Sequence, residues 1–212
     1  MAQSLRDILD AAARGDFPPA DGGTTIVAQH SHRDAGVLSF TAHSVVFTDE
    51  DPAWVRRTLA DVDCDALAAS MNARFLGAFV ARTGRRTDTI DVMTVGSPLA
   101  GDPAPALAEI VDPGHPRVLS SLRRRDEVRV WAAEGGVLVL GRGIAGRLEV
   151  AVEVDEGVRH RGLGRALAVA ARHLSGGEPV WAQIAPGNAR SMRAFQAAGY
   201  APVGAEALLT PR

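Results

Sequence analysis

The chain has 212 residues, of which 46% are hydrophobic, so it is long enough to bury a core as one large domain or two small ones. Its net charge of −2, with acidic and basic residues intermixed, argues against a nucleic-acid-binding protein. Cys64 is the only cysteine, which excludes an internal disulfide, and no apolar run has the length of a membrane span, so we expect a cytoplasmic protein with no membrane partner.

The first part of the chain predicts alternating helices and strands without a catalytic motif. Ser4 followed by Asp7 is typical of a capping box at the start of a helix. His30 and His32 have the spacing of paired metal ligands, but no further ligand cluster accompanies them, so no metal site is predicted. We expect Cys64 to be a packed thiol. The predicted elements are a helix over 5–14, strands over 25–29, 36–40 and 44–48, and helices over 51–59 and 65–82.

A seam is predicted at Gly84-Arg85-Arg86, which would separate a lobe of residues 1–86 from a domain of residues 87–212. We expect the run of arginines at 123–125 to be a solvated helix end. The elements predicted after the seam are a strand over 89–95, a loop rich in proline and glycine over 97–105, a helix over 116–125, and a hairpin with strands over 128–132 and 136–141.

The segment from Arg147 to Tyr200 organises the rest of the chain. It starts with strand periodicity in the alternating apolar residues Leu148, Val150, Val152 and Val154. A basic turn with two glycines, Gly162 and Gly164, leads into a helix over 163–174, whose apolar residues have helical spacing. A second strand over 180–184 and a second helix capped by Asn188 complete the segment.

The glycine-bearing turn predicts a site for a phosphorylated ligand. At a helix N-terminus the first N–H groups are unpaired and the helix dipole is positive. Gly162 and Gly164 would let a phosphate approach the backbone without meeting a Cβ. Leu167 stands where a dinucleotide fingerprint needs a small residue, and the chain has no lysine for a Walker loop, so both of those motifs are excluded. Three arginines add positive charge: Arg159, Arg161 and Arg165.

Two motifs follow one another in this segment. R-x-x-G-x-G, formed by Arg159, Gly162 and Gly164, ends the first strand. N-x-x-S-x-x-x-F-x-x-x-G-Y follows the second strand, and its fixed positions are Asn188, Ser191, Phe195, Gly199 and Tyr200. Together, at this separation, the motifs resemble the GCN5-related N-acetyltransferase (GNAT) superfamily over residues 128–209. The resemblance implies a mixed α/β fold, with a GNAT-like domain at 87–212. The smaller α/β lobe at 1–86 would be either a degenerate acetyltransferase-like half or a capping domain.

The resemblance also implies where acetyl-CoA, the acetyl donor, would bind. In this family the strand before the glycine turn splays away from the next strand, and the pantetheine arm lies in the gap. Carried onto this sequence, the residues that would contact the pantetheine and thioester are Val152, Glu153 and Val154. Those that would hold the pyrophosphate are Arg159, His160, Arg161, Gly162, Leu163, Gly164 and Arg165. Those that would line the far side of the cofactor are Asn188, Ser191 and Phe195.

The general base is where the sequence departs from the family pattern. Many members carry a base on the strand face that is apolar here, whereas the opposite face carries Glu149, Glu153 and Asp155. We predict Glu153 as the base for direct attack of an amine on the thioester, swung into the cleft by a β-bulge. The alternative is that these acids bind water or pair with arginines.

The general acid departs from the pattern as well. The family's usual acid is a tyrosine seven residues after the motif asparagine, and that position is Phe195 here. Protonation of the leaving thiolate would then come from water, from Ser191 or from Tyr200, and Tyr200 is our second candidate catalytic residue.

The predicted function is transfer of an acetyl group from acetyl-CoA to an amine, carried by a small molecule or a peptide. The missing tyrosine and the apolar strand face keep a second function open, a non-catalytic acyl-CoA-binding or regulatory protein. A third is transfer of a longer acyl group. The sequence does not identify the acceptor, and it leaves a homodimer open.

Overall fold

The computed structural model describes residues 3–212 and has a mixed α/β architecture, which confirms the predicted fold class. The elements in chain order are α1 (Leu5–Ala13), β1 (Thr24–Val27), β2 (Ala35–Phe40), β3 (His43–Phe47), α2 (Pro52–Ala60), α3 (Ala66–Ala69), α4 (Ala73–Thr83), β4 (Ile90–Gly96), β5 (Ala108–Glu109), α5 (Pro116–Leu122), β6 (Asp126–Ala133), β7 (Gly136–Arg142), β8 (Leu148–Val154), α6 (Leu163–His173), β9 (Val180–Ile184), α7 (Ala189–Ala197) and β10 (Tyr200–Leu209).

The chain divides into two compact units. The first contains the described residues up to Val92 together with Val203–Arg212, and the second is Met93–Pro202. The last part of β10 therefore belongs to the first unit, although it follows the GNAT-like motifs in the sequence. The sequence predicted two domains, residues 1–86 and 87–212. That division into domains stays a prediction.

In the first unit the strand order is β1-β3-β2-β10, with β1 parallel to β3 and the other pairs antiparallel. The helices cover an apolar core that includes Phe75 and Phe79, both fully buried. The capping box of Ser4 and Asp7 is confirmed. The other predicted helices and strands of this unit lie close to their predicted bounds, because they follow from local sequence patterns, and the helix predicted over 65–82 is the exception.

Two predictions for the first unit were wrong. The single helix expected over 65–82 is broken into α3 and α4, because the side chain of Asn72 accepts a hydrogen bond from Arg74 N and caps a new helix there. Cys64 is exposed rather than packed, and its Sγ contacts the Asp65 carbonyl oxygen at 3.4 Å. Cys64 lies just before Asp65, the N-cap of α3, between α2 and α3.

In the second unit the strand order is β4-β9-β8-β7-β6-β5. β6, β7 and β8 form an antiparallel meander, and β8 pairs with β9 in parallel. Alternate residues of β8 face opposite sides of the sheet, so Val150 packs in the core with α6 and α7, whereas Ala151 packs with Val118 of α5. From β4 to β10 the chain has the order of elements implied by the resemblance, a strand, a helix, three antiparallel strands, a helix, a strand, a helix and a strand, with the short strand β5 added before α5.

Between residues 3 and 212, no helix combines the length and apolar character needed to cross a bilayer. The same stretch contains no group of three His, Cys, Asp or Glu side chains arranged to hold a metal ion.

Candidate functional site

A gap opens between β8 and β9 in the second unit. The two strands pair only at Leu148 with Val180 and at Glu149 with Trp181, although β8 continues to Val154 and β9 to Ile184. The strands therefore diverge after Glu149, as the resemblance implied. β8 stays fully paired with β7 on its other side, so the gap borders one edge of an intact meander.

The backbone of β8 presents hydrogen-bonding groups to this gap. Asp155 N donates to Gly135 O, in the turn that leads into the neighbouring strand β7, at 2.8 Å. Because backbone groups of successive residues point alternately to either side of an antiparallel strand, those of Val152 and Val154 point away from β7 and toward the gap. The Val154 carbonyl oxygen accepts a hydrogen bond from Arg159 Nε at 3.2 Å, which agrees with this direction.

The glycine turn ends in an uncapped helix. Gly162 is the N-cap of α6 with φ of 86°, a left-handed conformation that favours glycine, and it makes no side-chain capping hydrogen bond. His160 is also left-handed, with φ of 67°, which is uncommon for a residue with a side chain. The first turn of α6 carries no acid. Its free N–H groups and the positive end of the helix dipole are thus available to an anionic ligand.

These elements enclose a cavity of about 610 Å³, within the range typical of small-molecule sites. The cavity brings together most of the predicted cofactor-binding residues. Its lining from the strand and turn is Val152, Glu153, Val154, Val158, Arg159, His160, Gly162, Leu163, Gly164 and Arg165, and its lining from the second helix is Asn188, Arg190, Ser191, Arg193, Ala194, Phe195 and Ala197. Arg161 and Tyr200 are the two predicted site residues that do not line it.

Glu153, the predicted base, lies at the cavity without the expected β-bulge. β8 pairs with β7 from Leu148 to Val154 with no register shift, so the expectation of a bulge was wrong. The carboxylate of Glu153 forms an ion pair with Arg117 at the start of α5, and half of its side chain is exposed. Pairing with arginine was the alternative left open by the sequence. A role as base stays a prediction, and it would require the carboxylate to leave Arg117.

Phe195 and Tyr200 pack against each other beside the cavity. Their ring centroids are 4.9 Å apart in an edge-to-face arrangement, and both residues are buried. The Tyr200 hydroxyl donates to the Ala168 carbonyl oxygen at 3.1 Å, and burial raises the pKa of this phenol. This geometry favours a structural role for Tyr200, whose predicted catalytic role stays untested.

A buried ionic cluster lies where β8 and β9 begin to diverge. The carboxylate of Glu149 accepts from Arg147 Nε at 2.8 Å and from Arg125 Nε at 3.1 Å. Gln183 Nε2 donates to the same carboxylate at 2.6 Å. Burial tends to raise the pKa of Glu149, but the charges of Arg147 and Arg125 outweigh burial and hold that pKa below its usual range. Gly143 packs on the carboxyl group, where a Cβ would collide with it.

Sequence reasoning missed several lining residues on α7. Arg190, Arg193, Ala194 and Ala197 are spaced i, i+3, i+4 and i+7, which defines one face of a helix. Because the Asn188 cap fixes the start of this helix, the same spacing could have predicted them. The Asn188 side chain accepts from Ser191 N at 3.1 Å.

No protein-family profile and no curated protein matches the chain. Among solved structures, it is similar to a GCN5-related N-acetyltransferase from Kribbella flavida, with 18% identity, a TM-score of 0.45, and coverage of 85% of this chain and 90% of that one. It is also similar to a GCN5-related N-acetyltransferase from Sphaerobacter thermophilus, with 15% identity, a TM-score of 0.40, and coverage of 65% of this chain. This chain spans 56% of the length of the Sphaerobacter protein.

Proposed function

We propose that this protein transfers an acetyl group from acetyl-CoA to an amine. The observation that carries the proposal is the cavity, which joins an uncapped helix N-terminus, several arginines and the open edge of β8. A thioester of CoA fits this combination. Its diphosphate needs an anion site, and the amides of its pantetheine arm need backbone hydrogen-bonding partners. Calorimetric titration with CoA tests the site, and absence of binding by the folded protein would contradict it.

In the proposed complex the pyrophosphate lies on the first turn of α6, near Gly164 and Arg165. The pantetheine arm follows Val152 and Val154, whose backbone groups face the gap. The N–H of Val154 would donate to the thioester carbonyl oxygen and stabilise the negative charge that develops during attack.

The acceptor amine would attack the thioester carbonyl carbon directly. A bond forms between nitrogen and that carbon, and the bond to sulfur breaks, which releases CoA as a thiolate. An alkylamine has a pKa of about 10.4 and must lose a proton to react. A thiol has a pKa of about 8.5, so the thiolate leaves readily and protonation by an acid helps only modestly.

Replacing Glu153 with glutamine tests the proposed base. If this carboxylate accepts the amine proton, we expect E153Q to reduce kcat by about 10²–10⁴-fold, the usual contribution of general base catalysis, with CoA affinity unchanged. Glu156 is a matched control, because it is an acid in the adjacent turn that does not line the cavity. E156Q should keep wild-type turnover. Wild-type turnover by E153Q would contradict Glu153 as the base and would leave its ion pair with Arg117 as its only role.

A non-catalytic acyl-CoA-binding protein is the second candidate function. It is favoured by Phe195, which has no acidic hydrogen at the position of the family's tyrosine, and by the commitment of the Tyr200 hydroxyl to Ala168. Such a protein would bind CoA but would release no thiol with any amine.

Phe195→Tyr tests whether proton delivery limits the reaction. Phe195 lines the cavity, so a hydroxyl there would reach the ligand and should raise kcat by up to about 10²-fold if an acid is lacking. Tyr200→Phe tests the other candidate hydroxyl. Because that hydroxyl is bonded to Ala168 O, its loss should lower stability by about 1 kcal/mol, and a fall in turnover beyond that loss would identify Tyr200 as the acid. Equal rates for wild type and F195Y, with the fold retained, would show that the missing acid does not limit this protein.

A further inference from the structure

One basic face of α7 looks into the cavity. Arg190 and Arg193 occupy the first turns of this helix, and Ala194 and Ala197 continue the same face with small side chains. Across the cavity lie Arg159 and Arg165 of the glycine turn. The cavity is therefore lined by arginines from two separate elements, only one of which carries the glycine motif.

None of these four cavity arginines forms an ion pair with any residue in the range 3–212. Elsewhere in the same unit, arginines do pair with glutamates, as Arg129 does with Glu109 and Arg142 with Glu178. Glu153 is the one acid in the lining, and it pairs with Arg117 outside the cavity. The positive charge of the four arginines is thus left for a ligand.

That charge exceeds what a diphosphate requires. A diphosphate diester carries two negative charges, which the first turn of α6, Arg159 and Arg165 can balance. Arg190 and Arg193 remain, and a phosphate monoester with about 1.5–2 negative charges near neutral pH would balance them. Guanidinium groups suit this partner, because their forked donors match phosphate oxygens.

We propose that Arg190 and Arg193 bind the 3′-phosphate of CoA, so that the site selects thioesters of CoA over thioesters that lack this group, including those on carrier proteins. This inference rests on the proposed function, because it assumes that CoA occupies the cavity. It adds a second anion subsite, on α7, to the pyrophosphate subsite on α6.

Calorimetry with CoA and 3′-dephospho-CoA tests this subsite. At physiological ionic strength, where long-range attraction is screened, we expect wild type to bind CoA about 10–100-fold more tightly than 3′-dephospho-CoA. The double variant R190Q/R193Q should bind both ligands equally, with the wild-type affinity for 3′-dephospho-CoA. The control R123Q removes an exposed arginine of the same unit that does not line the cavity, and it should keep the wild-type ratio.

Three results would overturn the inference. If wild type bound both ligands equally and tightly, Arg190 and Arg193 would not recognise the 3′-phosphate, whereas the proposed function would stand. If R190Q/R193Q lost affinity for CoA and for 3′-dephospho-CoA by the same factor, these arginines would contact the adenine or act through general charge. Failure of folded wild type to bind either ligand would overturn the proposed function together with this inference.

Discussion

Glu149→Ala is expected to lower the free energy of unfolding by about 3–5 kcal/mol, the usual cost of removing one partner of a buried ion pair. The side chains of Glu149 and Arg147 are only 6% and 2% exposed. Without the carboxylate, Arg147 and Arg125 would keep like charges close together in a site with little water. Gln183 would also lose its acceptor. Urea-induced unfolding of the variant and of wild type measures this difference.

Glu109→Ala is the matched control for this experiment. Glu109 accepts two hydrogen bonds from Arg129, at 2.8 and 2.9 Å, but the pair is exposed. Exposed pairs contribute about 0–1 kcal/mol, so E109A should unfold nearly as wild type does. If E149A and E109A lost similar amounts of stability, the buried ion pairs of Glu149 would contribute no more to the fold than an exposed pair does.

The same cluster predicts a pH dependence of stability. The folded-state pKa of Glu149 is lowered below its unfolded value. Its contribution is therefore fully present above the unfolded pKa, about 4.3, and is lost as the pH falls from there through the folded pKa. Wild type should lose more stability than E149A over this acidic range. Parallel losses in the two proteins would contradict the assignment.

Gly164→Val should weaken CoA binding by at least about 100-fold, or roughly 2.7 kcal/mol, while the fold is retained. Gly164 lies in the first turn of α6 and lines the cavity. A Cβ there would meet Val154 Cγ2 at 3.6 Å, an ordinary contact, so the protein tolerates the added carbon. The remaining bulk of valine would occupy the space through which a phosphate reaches the helix N–H groups. Calorimetric titration with CoA measures the loss.

Gly157→Val is the control for this substitution. Gly157 lies in the turn after β8, has no neighbouring atom within 4 Å of an added Cβ, and does not line the cavity. G157V should bind CoA as wild type does. A folded G164V protein with wild-type affinity would show that the glycine turn is not the phosphate site.

Local patterns predicted the strand–turn–helix that forms the site. Alternation in β8, helical spacing in α6 and the Asn188 cap depend on residues close in sequence, so their bounds agree with the structure. The glycine turn predicted an exposed set of N–H groups at the start of α6, whereas the gap between β8 and β9 was implied only by the family resemblance. Phosphate binding at this turn stays a prediction.

Long-range pairing explains what the sequence did not predict. Arg125 was expected at a solvated helix end, but α5 ends at Leu122, and Arg125 turns inward to a carboxylate 24 residues later. Its side chain is 15% exposed. The partner Glu149 was placed correctly on the face opposite the apolar stripe, although its burial depends on Gln183 and Gly143, which no local pattern connects to it.

Turnover of acetyl-CoA with a panel of primary amines tests the central claim most directly. Free thiol and acetylated amine are measured in the same reaction, the first with a thiol reagent and the second by mass spectrometry. We predict that both appear in equal amounts, only when amine is present, and at a rate that rises with pH as the amine deprotonates. Tight binding of acetyl-CoA with no acetylated product from any amine would contradict acetyl transfer and would favour the acyl-CoA-binding function.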